Sequence, residues 1–163
     1  MTPEQAMHNH LAECRLHAAV LGEALSEAQA CLPLAADAMR HLGKEQRRIL
    51  DQAAYRFAKL LDTLGQKVLP LVLELAQEPI APDASFAEKL NWLERIGALR
   101  SAEEWKKLRI ARNAIAHDYP DDPALQAAAI NRFLIGAAQL GGLHGHVDQY
   151  VRQHFPNAWE AAK

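Results

Sequence analysis

An all-α bundle of five to seven helices is the fold class this chain predicts, and three observations predict it. Between Lys44 and Leu64, the apolar residues Ile49, Leu50, Ala53, Phe57, Leu60, Leu61 and Leu64 recur at helical spacing, the signature of one buried helix face. Reciprocal capping signals, a hydroxyl followed three positions later by Gln or Glu, stand at Thr2/Gln5, Ser85/Glu88 and Ser101/Glu104. No segment shows the strict alternation of a half-buried strand.

The elements follow from local punctuation. Thr2, with Pro3 in the first turn, opens a long helix expected to reach about Cys31, where Pro33 interrupts it. Leu34 to Leu42 reads as a short helix that Gly43 is placed to end. Lys44 to Leu64 is the amphipathic helix, and Gly65 and Pro70 are expected to kink or break it before Val72 to Gln77. Two prolines make residues 78–83 a loop. Ser85 opens a helix to about Ile96, closed by Gly97. Ser101 opens the next, with Trp105, Leu108, Ile110 and Ile115 as its apolar residues; Pro120 should end it near His117 or Asp118. Asp122-Pro123 starts a helix to about Leu140. Gly141-Gly142 is expected to break it, leaving a last helix over His146 to His154.

Bulk properties narrow the function classes. The 163 residues are expected to form a single domain, residues 1–163, long enough to bury a core. Half the residues are apolar and 23% are charged, a globular rather than disordered composition. Apolar runs stop well short of the ~20 residues of a membrane-spanning helix. Met1 to Gln5 lack the basic start and apolar stretch of a signal peptide, so the cytoplasm is the expected compartment. Cys14 and Cys31 form no close redox or metal motif and are expected to be reduced, packed thiols. A net charge of −2 argues against a protein that coats nucleic acid by charge alone. Arg100, Lys106, Lys107, Arg109 and Arg112 nevertheless cluster, diluted by Glu103 and Glu104. That cluster fits a solvated helix face and a phosphate-attracting one equally well.

The stretch Arg112-Asn113-Ala114-Ile115-Ala116-His117-Asp118-Tyr119 carries the most chemistry. At roughly 100° per residue, Arg112 and His117 stand about 140° apart on a helix surface, so their meeting needs Arg's length, a deviating helix end, or a second copy across a symmetric dimer. His titrates near neutrality and can move a proton between a ribose 2′-hydroxyl, water and a leaving 5′-oxygen. Arg stays charged and can grip phosphate oxygens as negative charge builds on them. Asn113 could fix backbone or substrate geometry, and Asp118 could orient an imidazole or cap the helix. Position alone also supports a plainer account: the macrodipole favours Arg and His near a helix C-terminus, and Tyr-Pro is an ordinary helix exit.

The pattern Arg112-Asn113, His117, Tyr119 resembles the R-N-x-x-x-H-x-Y signature of the HEPN superfamily, and of its HepT-like toxin endoribonucleases in particular. Tyr55-Arg56-Phe57 on a long helix, and the approach Leu90 to Leu108 with Gly97 and Trp105, are similar to the same family. The resemblance covers about residues 45–155. It implies a HEPN-like helical homodimer in which Arg112 and His117 cleave RNA (a tRNA or mRNA) without a metal or cofactor, with Asn113 and Asp118 in support. It also implies a cognate nucleotidyltransferase antitoxin that adenylylates Tyr119. The alternative within the family is a non-catalytic companion, a substrate- or nucleotide-binding subunit of a nucleotidyltransferase. Asp121 and Asp122 add negative charge beside the proposed phosphate site, a departure from what an RNA binder needs.

Other features point elsewhere. His10, Cys14 and His17 share a helix face at ligand-like spacing, but no carboxylate or second cysteine completes a convincing metal set nearby, so no metal is expected. His144-Gly145-His146 reads as a turn. Trp92 and Trp105 read as packing residues, and Trp159 as packing or as an anchor for a partner.

Overall fold

The computed structural model describes residues 1–116 and 121–160. Among them it is all-α: α1 (Pro3–Ala28), α2 (Ala36–Arg40), α3 (Lys44–Thr63), α4 (Leu69–Leu75), α5 (Phe86–Arg95), α6 (Ala102–Ala116), α7 (Pro123–His154) and α8 (Pro156–Glu160). A π turn over Leu64–Val68 joins α3 to α4 in one continuous rod, so the eight segments make seven helical bodies. No described helix is long and apolar enough to cross a membrane.

The capping signals do what their chemistry dictates. Thr2 Oγ1 accepts from Gln5 N at 3.2 Å while Gln5 Oε1 accepts from Thr2 N at 3.0 Å, and Ser85 and Glu88 exchange the same pair. Only half of the third box forms: Ser101 Oγ accepts from Glu104 N, whereas the Glu104 carboxylate turns to Arg100 at 3.5 Å. Gly97 closes α5 at φ +86°, a conformation that favours glycine.

Three breaks expected from Gly and Pro take other forms. Gly43 opens α3 as its N-cap, with Gln46 Oε1 accepting its N–H, rather than closing α2. At Gly65 and Pro70, where a kink or a break is expected, the rod continues through the π turn. The π turn adds one residue just before Pro70, which gives room to its ring and absorbs its missing N–H. Finally α7 runs unbroken through Gly141, Gly142 and Gly145, and the residues expected to form a turn lie mid-helix. Glycine weakens a helix by about 1 kcal/mol without forbidding it, and burial of Leu140, Leu143, Val147 and Val151 outweighs that cost.

Packing is organised around two long helix pairs. α1 lies along α3, and its Met7, Leu11, Cys14, Leu21, Ala24 and Ala28 form a three-four stripe that is fully or nearly fully buried. α6 and α2 pack on α7, α5 packs on α6, and α8 returns the chain end onto α1. Phe57 of α3 meets Phe133 of α7 edge-on at 5.1 Å between ring centroids. Where α6 crosses the rod, Trp105 occupies the space that a side chain at Gly65 would fill: a Cβ there would lie 2.7 Å from Trp105 Cζ2. Asn131 clamps the segment before α2 by bonding both the N–H and the C=O of Leu34 at 2.8 Å. Trp159 packs on its own chain, with the guanidinium groups of Arg15 and Arg152 each about 5 Å from its ring centroid.

Candidate active site

The site is built on the C-terminal half of α6. Trp105, Leu108 and Ala111 anchor that helix in the core, which sets its rotation and turns Arg112 toward the flank of α3. There Arg112 meets Asp62 in a two-pronged ion pair, Nε to Oδ1 at 3.1 Å and Nη2 to Oδ2 at 2.8 Å. Both side chains retain 32% of their exposure, so the pair sits at the rim of the helix packing. The Nη1 edge of Arg112 makes no protein hydrogen bond among the described residues. Asn113 is exposed beside it. The other motif residues, His117, Asp118 and Tyr119, and the expected helix end before Pro120 lie outside the described residues.

A cavity of about 210 Å³ opens next to Ala114 and Ile115, between α2, α3, α6 and α7. Its walls include Leu50, Ala54 and Phe133, and Arg47, Asp51 and Gln126 supply polar groups. The basic cluster is divided by its partners. Arg100 lies 3.5 Å from Glu104, Lys106 lies 3.9 Å from Glu103, and Arg112 is held by Asp62. Ile110, expected on the apolar face, is 58% exposed, because Leu108 and Ala111 take the buried positions around it.

A second polar cluster lies between α1 and α3. Arg56 donates from Nη1 to His17 Nδ1 at 2.9 Å, so His17 accepts there and carries its proton on Nε2. Its buried Nε2 stands 3.6 Å from the Glu13 carboxylate, which also accepts from Thr63 Oγ1 at 3.3 Å. Desolvation and the nearby Lys67 charge hold His10 below its ordinary pKa against the opposing pull of Glu13. Burial first, then the Glu13 and Asp148 charges, pushes the Cys14 thiol up to about 12. That leaves Cys14 protonated and inert as a ligand. No group of three or more His, Cys, Asp or Glu side chains among the described residues could hold a metal ion.

Asp62 and Glu13 were not legible as site or cluster residues. The signal for Asp62 is a carboxylate on the flank of an apolar helix stripe, but its partner lies fifty positions away. No family model, curated protein or solved structure matches the chain.

Proposed function

We propose that this protein is a metal-independent endoribonuclease of the HEPN type. In this reading it acts as a homodimer in the cytoplasm, as the toxin of a pair with a nucleotidyltransferase antitoxin. One observation carries the reading: the Arg that heads the Arg112-Asn113, His117, Tyr119 pattern is a surface-reaching guanidinium whose plane is fixed from behind by Asp62. An Arg so oriented, with an edge left over, is suited to a phosphate that gains charge in a transition state.

In the proposed reaction His117 takes the proton of a ribose 2′-hydroxyl, whose oxygen attacks the adjacent phosphorus. The bond to the 5′-oxygen breaks, that oxygen is protonated by the imidazolium, and a 2′,3′-cyclic phosphate end remains. Arg112 neutralises charge on the non-bridging oxygens. Asn113 and Asp118 support the geometry. Transfer of AMP from ATP to the Tyr119 phenol, with pyrophosphate leaving, would place bulk and negative charge beside the cleft and silence it.

A specific observation favours a second reading, a non-catalytic companion of a nucleotidyltransferase: Asp62 already neutralises Arg112, and phosphate must compete with a carboxylate for it. Cleavage of end-labelled tRNA and mRNA in EDTA separates the two. The nuclease reading expects cyclic-phosphate products from the wild type, and a loss of about a hundredfold or more in His117→Ala and Arg112→Ala. A folded wild type of unmodified mass that cuts neither RNA is the result the companion reading expects.

A further inference from the structure

We infer that the outer face of α6 and α7 is a docking surface for an acidic amphipathic helix of a partner protein, a role that is independent of the nuclease reading. Ile110 is 58% exposed, Ile135 65% and Phe86 36%, three large apolar side chains on one side of the molecule. Ile110 stands where two grooves meet. One, of about 230 Å³, runs between α6 and α7 and includes Ile135 and Gly136. The other, of about 350 Å³, lies between α5 and α6 and includes Phe86 and Trp105.

The charged side chains that line these grooves are all basic. Lys107 and Arg132 line the first, Lys106 and Arg109 the second, and among the described residues no carboxylate lines either. Glu103 lies 3.9 Å from Lys106, whereas Lys107, Arg109 and Arg132 have no ion-pair partner among the described residues. From Pro123 to Val147, Arg132 is the one Asp, Glu, Lys or Arg on α7. A chain of net charge −2 thus carries a positive island with an apolar centre.

That combination selects the occupant. A second copy, docked through the same face about a two-fold axis, would set like charges against each other. RNA would find cations but, at the centre, the isoleucines Ile110 and Ile135, with Phe86 the exposed aromatic side chain at the edge of the surface. A helix with apolar residues at i, i+3/i+4 and i+7 flanked by Glu or Asp satisfies both the grooves and their rim.

The test uses a fluorescein-labelled helical peptide with Leu at that spacing and Glu on its flanks, beside its Glu→Lys counterpart, measured by anisotropy against the full chain. The acidic peptide is expected to bind and the basic one not. Ile110→Asp should weaken binding about tenfold or more, the scale of losing a buried anchor side chain. The double variant K107E/R132E should reverse the preference toward the basic peptide, a gain that misfolding cannot mimic. Three results would each overturn the inference. They are failure of the acidic peptide to bind wild type, RNA binding that Ile110→Asp abolishes, and a sedimenting wild-type dimer that Ile110→Asp dissociates.

Discussion

Asp62 and Arg112 illustrate how exposure sets the worth of an ion pair. Two aligned N–H···O contacts fix the guanidinium plane, yet each side chain stays about a third exposed, so water screens much of the attraction. Asp62→Asn should therefore cost less than about 1 kcal/mol of stability. On the nuclease reading the same change should reduce cleavage by about tenfold or more, because an Arg free to swing no longer meets the phosphate in one orientation. Urea unfolding and RNA cleavage measured on the same preparation check this; equal loss in both would make Asp62 a stability residue only. Cys14 is the converse, a group governed by burial. With its thiol at about 12, it should resist iodoacetamide at neutral pH in the folded protein, while half-buried Cys31 is alkylated. Intact mass should show one adduct under native conditions and two in denaturant. Residue identities of this kind were legible when the cause was local, as at Thr2 and Ser85, where donor and acceptor are three positions apart. Asp62 was not, since nothing near it in the chain names Arg112.

Helices were legible by period and cap, and their ends were misplaced wherever tertiary packing outweighed a glycine or proline. The one glycine that space requires is Gly65, because Trp105 of α6 sits against it. Gly65→Ala should destabilise the protein by about 1–3 kcal/mol, the cost of forcing a methyl into an occupied core. Gly141 is the opposite case. It is exposed, helical, and a Cβ there meets nothing within 4 Å. Gly141→Ala should stabilise by about 0.4–1 kcal/mol, through a better helix former and a less free unfolded chain. Chemical denaturation of the two variants should move the midpoint in opposite directions. A stabilised Gly65→Ala would mean that the π turn yields to accommodate the methyl. The residues that hold α7 together through its glycines (Leu140, Leu143, Val147) are spaced as a helix face, so the sequence contained the continuity. Reading glycine pairs as breaks concealed it.

At the scale of the whole molecule, the cost of burying ionisable groups couples the fold to pH. His144 lies within the α7 core, where burial lowers its pKa, with Asp148 opposing and Arg15 acting the same way as burial; its Nε2 is buried without a hydrogen-bond partner among the described residues. His10 is lowered more superficially. Both groups take up a proton more readily in the unfolded chain, at the ordinary value of 6.5, than in the folded one. The unfolded state therefore binds more protons as pH falls below that value, and stability declines with it until the folded-state pKa values are passed. Above about pH 6.5 this penalty is absent. Melting temperature should accordingly rise as pH climbs from about 5.5 toward 6.5 and level off above it, and His144→Leu, which removes a buried imidazole, should flatten that rise. A His144→Leu variant with the wild-type slope would assign the acid sensitivity to His10 or to the carboxylates instead. The placement of His144 also shows why whole-molecule properties were the least legible. In sequence it sits between two glycines and reads as a turn. Only the continuity of α7 and the return of α1 beside it, bringing Arg15 to Asp148 at 2.7 Å, make it a buried base whose protonation opposes folding.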